Sequence, residues 1–480
     1  MTTTVPDLID VPAGLARFLE ACRATGSAPL IVGGSVRDAL LARTRGASAA
    51  TSREQPSDID IEVHGVDDTA RLLAVLGSEF ALQTRGAAFQ THVLRIDATD
   101  YEFTMVAAGA GTHPIGPLDL HAAASRRDLT INALAWDPAS AELHDPVGGL
   151  RDLHAGVLRH VSDRFADDPL RALRVVRFVA LLGFEVAAET MALARSLEPR
   201  AHALPVERVW NEFDRLLSRG TYISAALAAL RSTGWDSLVP ELAATQGVLQ
   251  DPRWHAEGDV WTHLGLAADA AVAFAVRDGL APSERRLSVT AALLHDLGKV
   301  TTTIVEPSSD ESDARITSRG HESAGVEPAE ALLRRIGAPA ELVRAVGPLV
   351  REHMVAVSVG QNGPSASAVR RLMRRLAGPR GTGPTIAHWA RVVEADCAGR
   401  GASAIASRAS DWLAIAQRDG GSPTAPLLTG RDLIEAGLRP GIRFSSLLDA
   451  AVDAQDQGLI DDRYSAREWL RHRLDEQDAP

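Results

Sequence analysis

Lysine is almost missing from this chain: among its 50 basic residues only Lys299 is a lysine. The remaining cations are arginines, whose planar fork suits bidentate contact with phosphate, although codon bias produces the same composition. Cysteine is nearly absent as well. Cys22 and Cys397 lie far apart and outside any Cys/His zinc spacing. That excludes a disulfide framework and a structural zinc site, and it points to a reducing compartment. No apolar run approaches the length of a membrane span, and the opening MTTTVPDLIDVPAG has an acidic start without a signal-peptide core. The expectation is a cytoplasmic protein without a membrane partner. An excess of positive charge is also lacking. With a formal net charge of −12, any nucleic-acid partner has to be met by local basic clusters rather than by the whole surface.

What is present is length and pattern. A chain of 480 residues with 45% hydrophobic content buries two to four compact units. The first 150 residues alternate strand-like runs (Pro29 to Val32, Ile59 to His64, Thr91 to Ile96, Tyr101 to Val106) with helical stretches at Val36 to Ala42 and Asp68 to Leu76. That predicts an α+β head with a small sheet. Arg43 to Ser57 and Ala107 to Ala124 lack periodicity and read as mobile loops. From about Asp163 onward the apolar spacing is three and four, no strands are expected, and the body reads as all-α. Polar, acidic Val305 to Arg319 reads as a surface excursion. The resulting division is a head over 1–150, a helical neck over 151–250 opened out by DPRW, a third unit over 251–400 and a helical rear over 401–480.

Three features of the head bear on chemistry. In LIVGGSVRDALL, Gly33 and Gly34 follow an apolar strand and open a helix, so backbone N–H groups and the helix dipole can face a triphosphate, with Arg37 one turn in. A tight turn is the other reading of such a pair. In SDIDIEV, Asp58 and Asp60 stand two apart on a strand, so both carboxylates leave one face and can share hard divalent cations, as phosphoryl transfer to an RNA hydroxyl requires. A solvated strand edge gives the same pattern. Glu102 in YEFTMV is a candidate third carboxylate or a solvent-facing acid.

Two further segments, SRRDLTINALAWDP and RFADDPLRALRVVRF, complete an ordered set of four. With them the chain resembles the class II tRNA nucleotidyltransferases, the group that includes bacterial poly(A) polymerases. The resemblance implies a polymerase-beta-like α+β head on an all-α body. It implies that Asp58 and Asp60 hold Mg²⁺, that Gly33, Gly34, Arg37, Arg127, Asp128, Arg174 and Arg177 bind nucleotide, and that Asp168 and Arg171 select the base. A carboxylate accepts from the exocyclic amine of C or A but meets the carbonyl of G or U acceptor to acceptor, and Arg171 donates to ring acceptors of either permitted base. A solvated helix face is the alternative for the Arg171, Arg174, Arg177 ladder. Two departures stand out: Asp167 where the family has Glu, and Ala107 where it commonly has Arg.

The segments WHAEGDVWTHLG, AALLHDLGKV, SRGHESAG, VREHM and EADCAGR resemble the HD phosphohydrolases. That resemblance implies His263, His295, Asp296 and Asp396 as metal ligands, with His321 and His353 at a second metal position. Mixed His and carboxylate ligands suit Mn, Ni, Co or similar ions with positions open to water and phosphate. Finally, RRLMRR puts Arg370, Arg371, Arg374 and Arg375 on one side of a helix, a candidate grip on tRNA backbone or a solvated face. The expected function is addition of CCA to tRNA from CTP and ATP, with a phosphodiesterase, nucleotidase or phosphatase behind it. The alternatives are a poly(A) polymerase, a CC-only or A-only enzyme, and a nucleotidyltransferase-HD signalling enzyme that modifies a regulatory protein. The motifs leave the oligomeric state open.

Overall fold

The computed structural model describes residues 2–44, 59–66, 68–85, 91–96, 99–107, 120–306, 315–357, 363–378, 381–421 and 425–478. Asp58 lies outside the described residues, as do most of the Arg43 to Ser57 and Ala107 to Ala124 loops and the middle of Val305 to Arg319. The chain forms two compact units. One is Met1–Val179 with Gly183–Ala203, and the other is Ala180–Leu182 with Leu204–Pro480. The arginine-bearing helix Leu170–Leu182 is divided so that all but its last turn belongs to the first unit.

The first unit is built on an eight-stranded sheet of β1 (Thr2–Thr4), β2 (Ala28–Val32), β3 (Asp60–Val66), β4 (Ala81–Arg85), β5 (Thr91–Ile96), β6 (Thr99–Ala107), β7 (Ala135–Asp137) and β8 (Glu142–His144). Their spatial order is β1-β8-β7-β2-β3-β6-β5-β4. Only β3 and β6 run parallel; the other pairs are antiparallel. Central β2 is buried on both faces, which is why it reads as an unbroken aliphatic run. In β3 and β6 the alternation is clean. Ile61, Val63, Phe103 and Met105 are buried on one face, while Asp60, Glu62 and Glu102 lie on the other.

The apolar face is covered by helices Ala13–Ala24 and Thr69–Glu79, with fully buried Phe18 5.2 Å from the Phe103 ring and 5.5 Å from Phe80. Burial of each such side chain contributes about 1.5–3 kcal/mol, so this layer fixes the strands that carry the acids. On the opposite face Leu30, Val32 and Ala135 form a small apolar floor against which Leu120 packs.

The second unit is helical. Val260–Arg277, Pro282–Leu294, Ala340–Glu352 and Ile386–Ala398 form its centre, where a stripe of Ala267, Ala268, Ala271 and Ala275 permits close helix approach. Trp389 and Trp412 meet edge-on at 5.3 Å in a second layer. A separate cluster of Leu428, Leu433, Leu447, Ile460 and Leu470 closes the rear. Short strands stand beyond Asp163 where none was expected: in the first unit β10 (Glu185–Val186) pairs with β9 (Val157–Leu158), and in the second β11 (Ile304–Glu306) pairs with β12 (Arg315–Thr317). Two or three residues are too few for a period of two to register against a polar background. Among the described residues no helix is long and apolar enough to cross a membrane.

Candidate active sites

In the head, strand register assembles the acids. Asp60 is paired with Val32 of β2 on one side and with Glu102 of β6 on the other. Residues in register across a parallel pair point to the same face, so Asp60 and Glu102 are neighbours. Gly33 follows directly from Val32. It has φ +80°, and a Cβ there would meet the Arg127 guanidinium at 3.0 Å and the Asp60 carboxylate at 3.4 Å. Both conditions call for glycine: the left-handed backbone and the space taken by two charged groups. Gly34 then opens helix Gly34–Thr44.

Glu62 was not singled out from the sequence, although it extends the alternation of SDIDIE by one step. Its carboxylate accepts from Arg127 at 2.5 Å and lies 3.1 Å from His64 Nε2. Burial opposes its ionisation, but the His64 hydrogen bond and the Arg127 charge outweigh it and hold the carboxyl down at about 2. Arg127 also donates to the Asn132 carbonyl at 3.0 Å, so its position is fixed from two sides.

A buried network links the other predicted residues. Arg37 donates to Asn132 Oδ1 at 2.5 Å, the Asn132 amide donates to Asp128 Oδ1 at 3.0 Å, and Arg174 Nε donates to Asp128 Oδ2 at 2.7 Å. Asp128 is only 5% exposed and anchors Arg174 directly and Arg37 through Asn132. Burial opposes its charge, yet Arg174, Asn132 and the Leu129 N–H hold it well below the usual carboxylate range. The guanidinium carbons of Arg37, Arg174 and Arg177 stand 5.0, 5.7 and 4.2 Å from the centroid of one ring, Phe178. The ladder is therefore a cluster of cations gathered on an aromatic face. Arg171 lies apart from it, donating to the Arg164 and Arg126 carbonyls at 2.7 and 2.5 Å, while Asp168 accepts from the Leu170 N–H at 3.2 Å.

In the second unit all six predicted ligands converge. His263, His295, Asp296, His353 and Asp396 are at most 4% exposed, and His321 is 6% exposed. His263 Nε2 lies 3.3 Å from both His295 Nε2 and Asp396 Oδ1, and 3.6 Å from Asp296 Oδ2. On the other side of Asp296, its Oδ1 is 3.1 Å from His321 Nε2 and 3.6 Å from His353 Nε2. Asp296 thus belongs to two adjoining donor sets. Each imidazole is oriented from behind: Nδ1 of His295, His321 and His353 sits 2.8, 2.6 and 2.7 Å from the Ala292, Ser318 and Val350 carbonyls, and Nδ1 of His263 is 2.8 Å from Glu257. With Nδ1 as donor, every Nε2 presents its lone pair inward.

Facing lone pairs at such distances need a cation between them. Asp296 Oδ1 is buried without a hydrogen-bond partner; burial opposes ionisation of both aspartates, whereas the Lys299 charge beside Asp296 and the Arg400 charge beside Asp396 favour it. The donor set fits divalent metal. Gly298 makes the second set possible. A Cβ there would collide with the His321 carbonyl, so only glycine lets the HDLGK turn pass beneath His321. Sequence reasoning passed over Glu257, which also takes His255 Nδ1 at 2.8 Å, and over Lys299, which lies 2.7 Å from Asp296 Oδ2 and 2.8 Å from Gln250 Oε1. The GK signal in HDLGK was available for the second.

Comparison with known proteins bears on both sites. Residues 30–159 match the family described as "Poly A polymerase head domain", residues 183–245 the "Probable RNA and SrmB- binding site of polymerase A", and residues 260–375 the "HD domain". The "Multifunctional CCA protein" of Xanthomonas campestris pv. campestris (strain B100) is 35% identical over 338 residues, covering 68% of this chain and 74% of the relative. The chain belongs to the multifunctional CCA protein family. A second member of that family, from Neisseria meningitidis serogroup C, is 35% identical over 69% of this chain and 73% of its own length. The Bacillus stearothermophilus CCA-adding enzyme solved in complex with CTP shares the fold, with a TM-score of 0.64 and 23% identity over 97% of this chain and 98% of that one.

The arginines of RRLMRR have partners within the protein. Arg370 is bound to Asp419 and to the Asp456 carbonyl, Arg374 to the Asp456 carboxylate, and Arg375 to Glu352 at 2.9 Å. Arg371 is held by Ser367. The run ties the helix Ala366–Ala377 to its neighbours, with partners too distant in sequence for a local charge pattern to reveal.

Proposed function

We propose that this chain completes tRNA 3′ ends, adding C, C and A from CTP and ATP without a nucleic-acid template. The observation that carries the reading is the register of Asp60 with Glu102 beside Gly33 and the arginine cluster on Phe178. Asp60, with Asp58, would hold Mg²⁺. The ion supplies charge neutralisation at the attacking and leaving oxygens. The backbone at Gly33 and Gly34 receives the triphosphate at a helix N-terminus. Arg37, Arg174 and Arg177 supply donors to its oxygens, with Asp128 and Asn132 fixing where they stand. Asp168 and Arg171 choose the base: the carboxylate accepts from the exocyclic amine, and the guanidinium, braced on two carbonyls, donates to the ring.

The HD site adds a phosphohydrolase that acts on phosphoesters such as 2′,3′-cyclic phosphates and phosphomonoesters. His263, His295, Asp296 and Asp396 would hold one Mn, Ni or Co ion, and Asp296, His321 and His353 a second. Such ions supply a water nucleophile at neutral pH. A cytoplasmic location follows from the tRNA substrate.

Both activities should be read on the same preparations. Asp60→Ala should abolish nucleotide incorporation and leave phosphoester hydrolysis intact, and His295→Ala should do the reverse. If either substitution removes both activities from a folded protein, the assignment of two independent centres fails.

A further inference from the structure

The mouth of the HD site has a composition that neither metal holding nor helix packing requires. A cavity of about 560 Å³ opens over Asp296, His321, His353 and Asp396, and its wall includes Trp254, Val357 and Ile405. All three are exposed, at 56, 58 and 44%. Apolar surface left open around a concave polar floor marks a ligand contact rather than a folding need. Arg315 and Arg319, on and just after strand β12, line the same cavity, are exposed, and have no ion-pair partner among the described residues. Elsewhere in this chain arginines are regularly matched with carboxylates, as Arg253 is with Asp251 at the same mouth. The tripeptide Pro252-Arg253-Trp254 thus places an indole at the entrance to the donor cluster.

An indole face, flanking aliphatic groups and two guanidinium forks without an ion-pair partner among the described residues, all over a metal-binding floor, suit the two halves of one ligand: a planar base and a phosphate. Resting on the phosphohydrolase reading above, we propose that Trp254 is the base-stacking residue of the HD site and that Arg315 and Arg319 hold the phosphate. The site is then selective for phosphoesters that carry a nucleobase, either a free nucleotide or the terminal nucleotide of an RNA.

The test uses the metal-loaded full chain and three substrates: adenosine 2′-monophosphate, a short RNA ending in a 2′,3′-cyclic phosphate, and glycerol 2-phosphate. Trp254→Ala should raise KM for the base-bearing substrates about tenfold with kcat little changed, the size expected for loss of one base stack, and should leave glycerol 2-phosphate unaffected. Trp254→Phe should recover most of the loss. Arg319→Ala should raise KM for all three substrates. An effect of Trp254→Ala on the mononucleotide alone assigns the seat to free nucleotides, and an effect on the RNA alone assigns it to RNA ends. Equal effects on all three substrates, or none on either base-bearing one, overturn the proposal.

Calorimetric binding of adenosine 2′-monophosphate to the metal-loaded full chain, compared between the unsubstituted protein and the Trp254 variants, separates this proposal from the reading it rests on. If no substrate is hydrolysed but binding still weakens in Trp254→Ala and recovers in Trp254→Phe, the seat stands and the phosphohydrolase reading falls. If neither hydrolysis nor binding depends on Trp254, the seat itself is wrong.

Discussion

Asp60 and Glu102 are register partners across the parallel β3–β6 pair of the head sheet, and both lie on its polar face. This relationship turns two acids 42 positions apart in sequence into neighbours. It predicts unequal roles along β3. Asp60→Asn should lower incorporation about a thousandfold, since metal-held charge stabilisation amounts to several kcal/mol. Glu102→Gln should fall in the same direction. Glu62→Gln should cost only about tenfold, because Glu62 acts through Arg127 as a charge-assisted hydrogen-bond partner. Steady-state incorporation by the three variants, with circular dichroism to verify folding, checks the order.

Asp128 should contribute stability that depends on pH. Its folded pKa is depressed, so the contribution is complete above the unfolded carboxylate range near pH 4 and is lost as pH falls through the lower folded value. Asp128→Asn should lower stability at pH 7 by about 2 kcal/mol, less than a fully buried pair would cost because Arg174 is partly exposed. It should also flatten the decline in melting temperature between roughly pH 5 and pH 2. Thermal denaturation across that range decides it; an unchanged slope would mean that Arg174 is not held by this carboxylate.

Lys299 stands where a chain otherwise built with arginine keeps its one lysine. The ammonium sits between Asp296 and Gln250, at 2.7 and 2.8 Å, and is only 8% exposed, space that suits a point charge and not a planar fork. Lys299→Arg should therefore lower phosphoester hydrolysis about as much as Lys299→Met, each by roughly a hundredfold. Full activity in the arginine variant would show that charge alone suffices.

Much of this was legible in the sequence, for a physical reason. Strands with one buried face, such as DIEV and EFTMV, announce themselves by alternation, and the HD ligands by a run of residue types that rarely occur together without metal. What stayed hidden depends on long-range partners. Nothing local says that Arg37 reaches Asn132 or shares Phe178 with Arg174 and Arg177, or that Arg370 and Arg374 are consumed by Asp456. Strands of three residues such as β1 and β8 carry too little pattern to read. Asp58 remains a sequence expectation, since it lies outside the described residues.

Glu257 holds two imidazoles through one oxygen, at 2.8 Å from His255 and His263. Glu257→Gln should weaken divalent-metal affinity about 10- to 100-fold, as loss of an orienting partner does, without removing a ligand. Titration of the apo chain with Mn²⁺, read by calorimetry, measures this; unchanged affinity would place Glu257 outside the metal support.

The most direct test of the account is the sequence of the product. tRNA transcripts ending at the discriminator base, at C and at CC are incubated with all four nucleoside triphosphates and Mg²⁺, and their 3′ ends are then sequenced. The account predicts ordered completion to CCA from each start, followed by arrest, and loss of base choice in Asp168→Ala. Long runs of A from any of the three starts would contradict it.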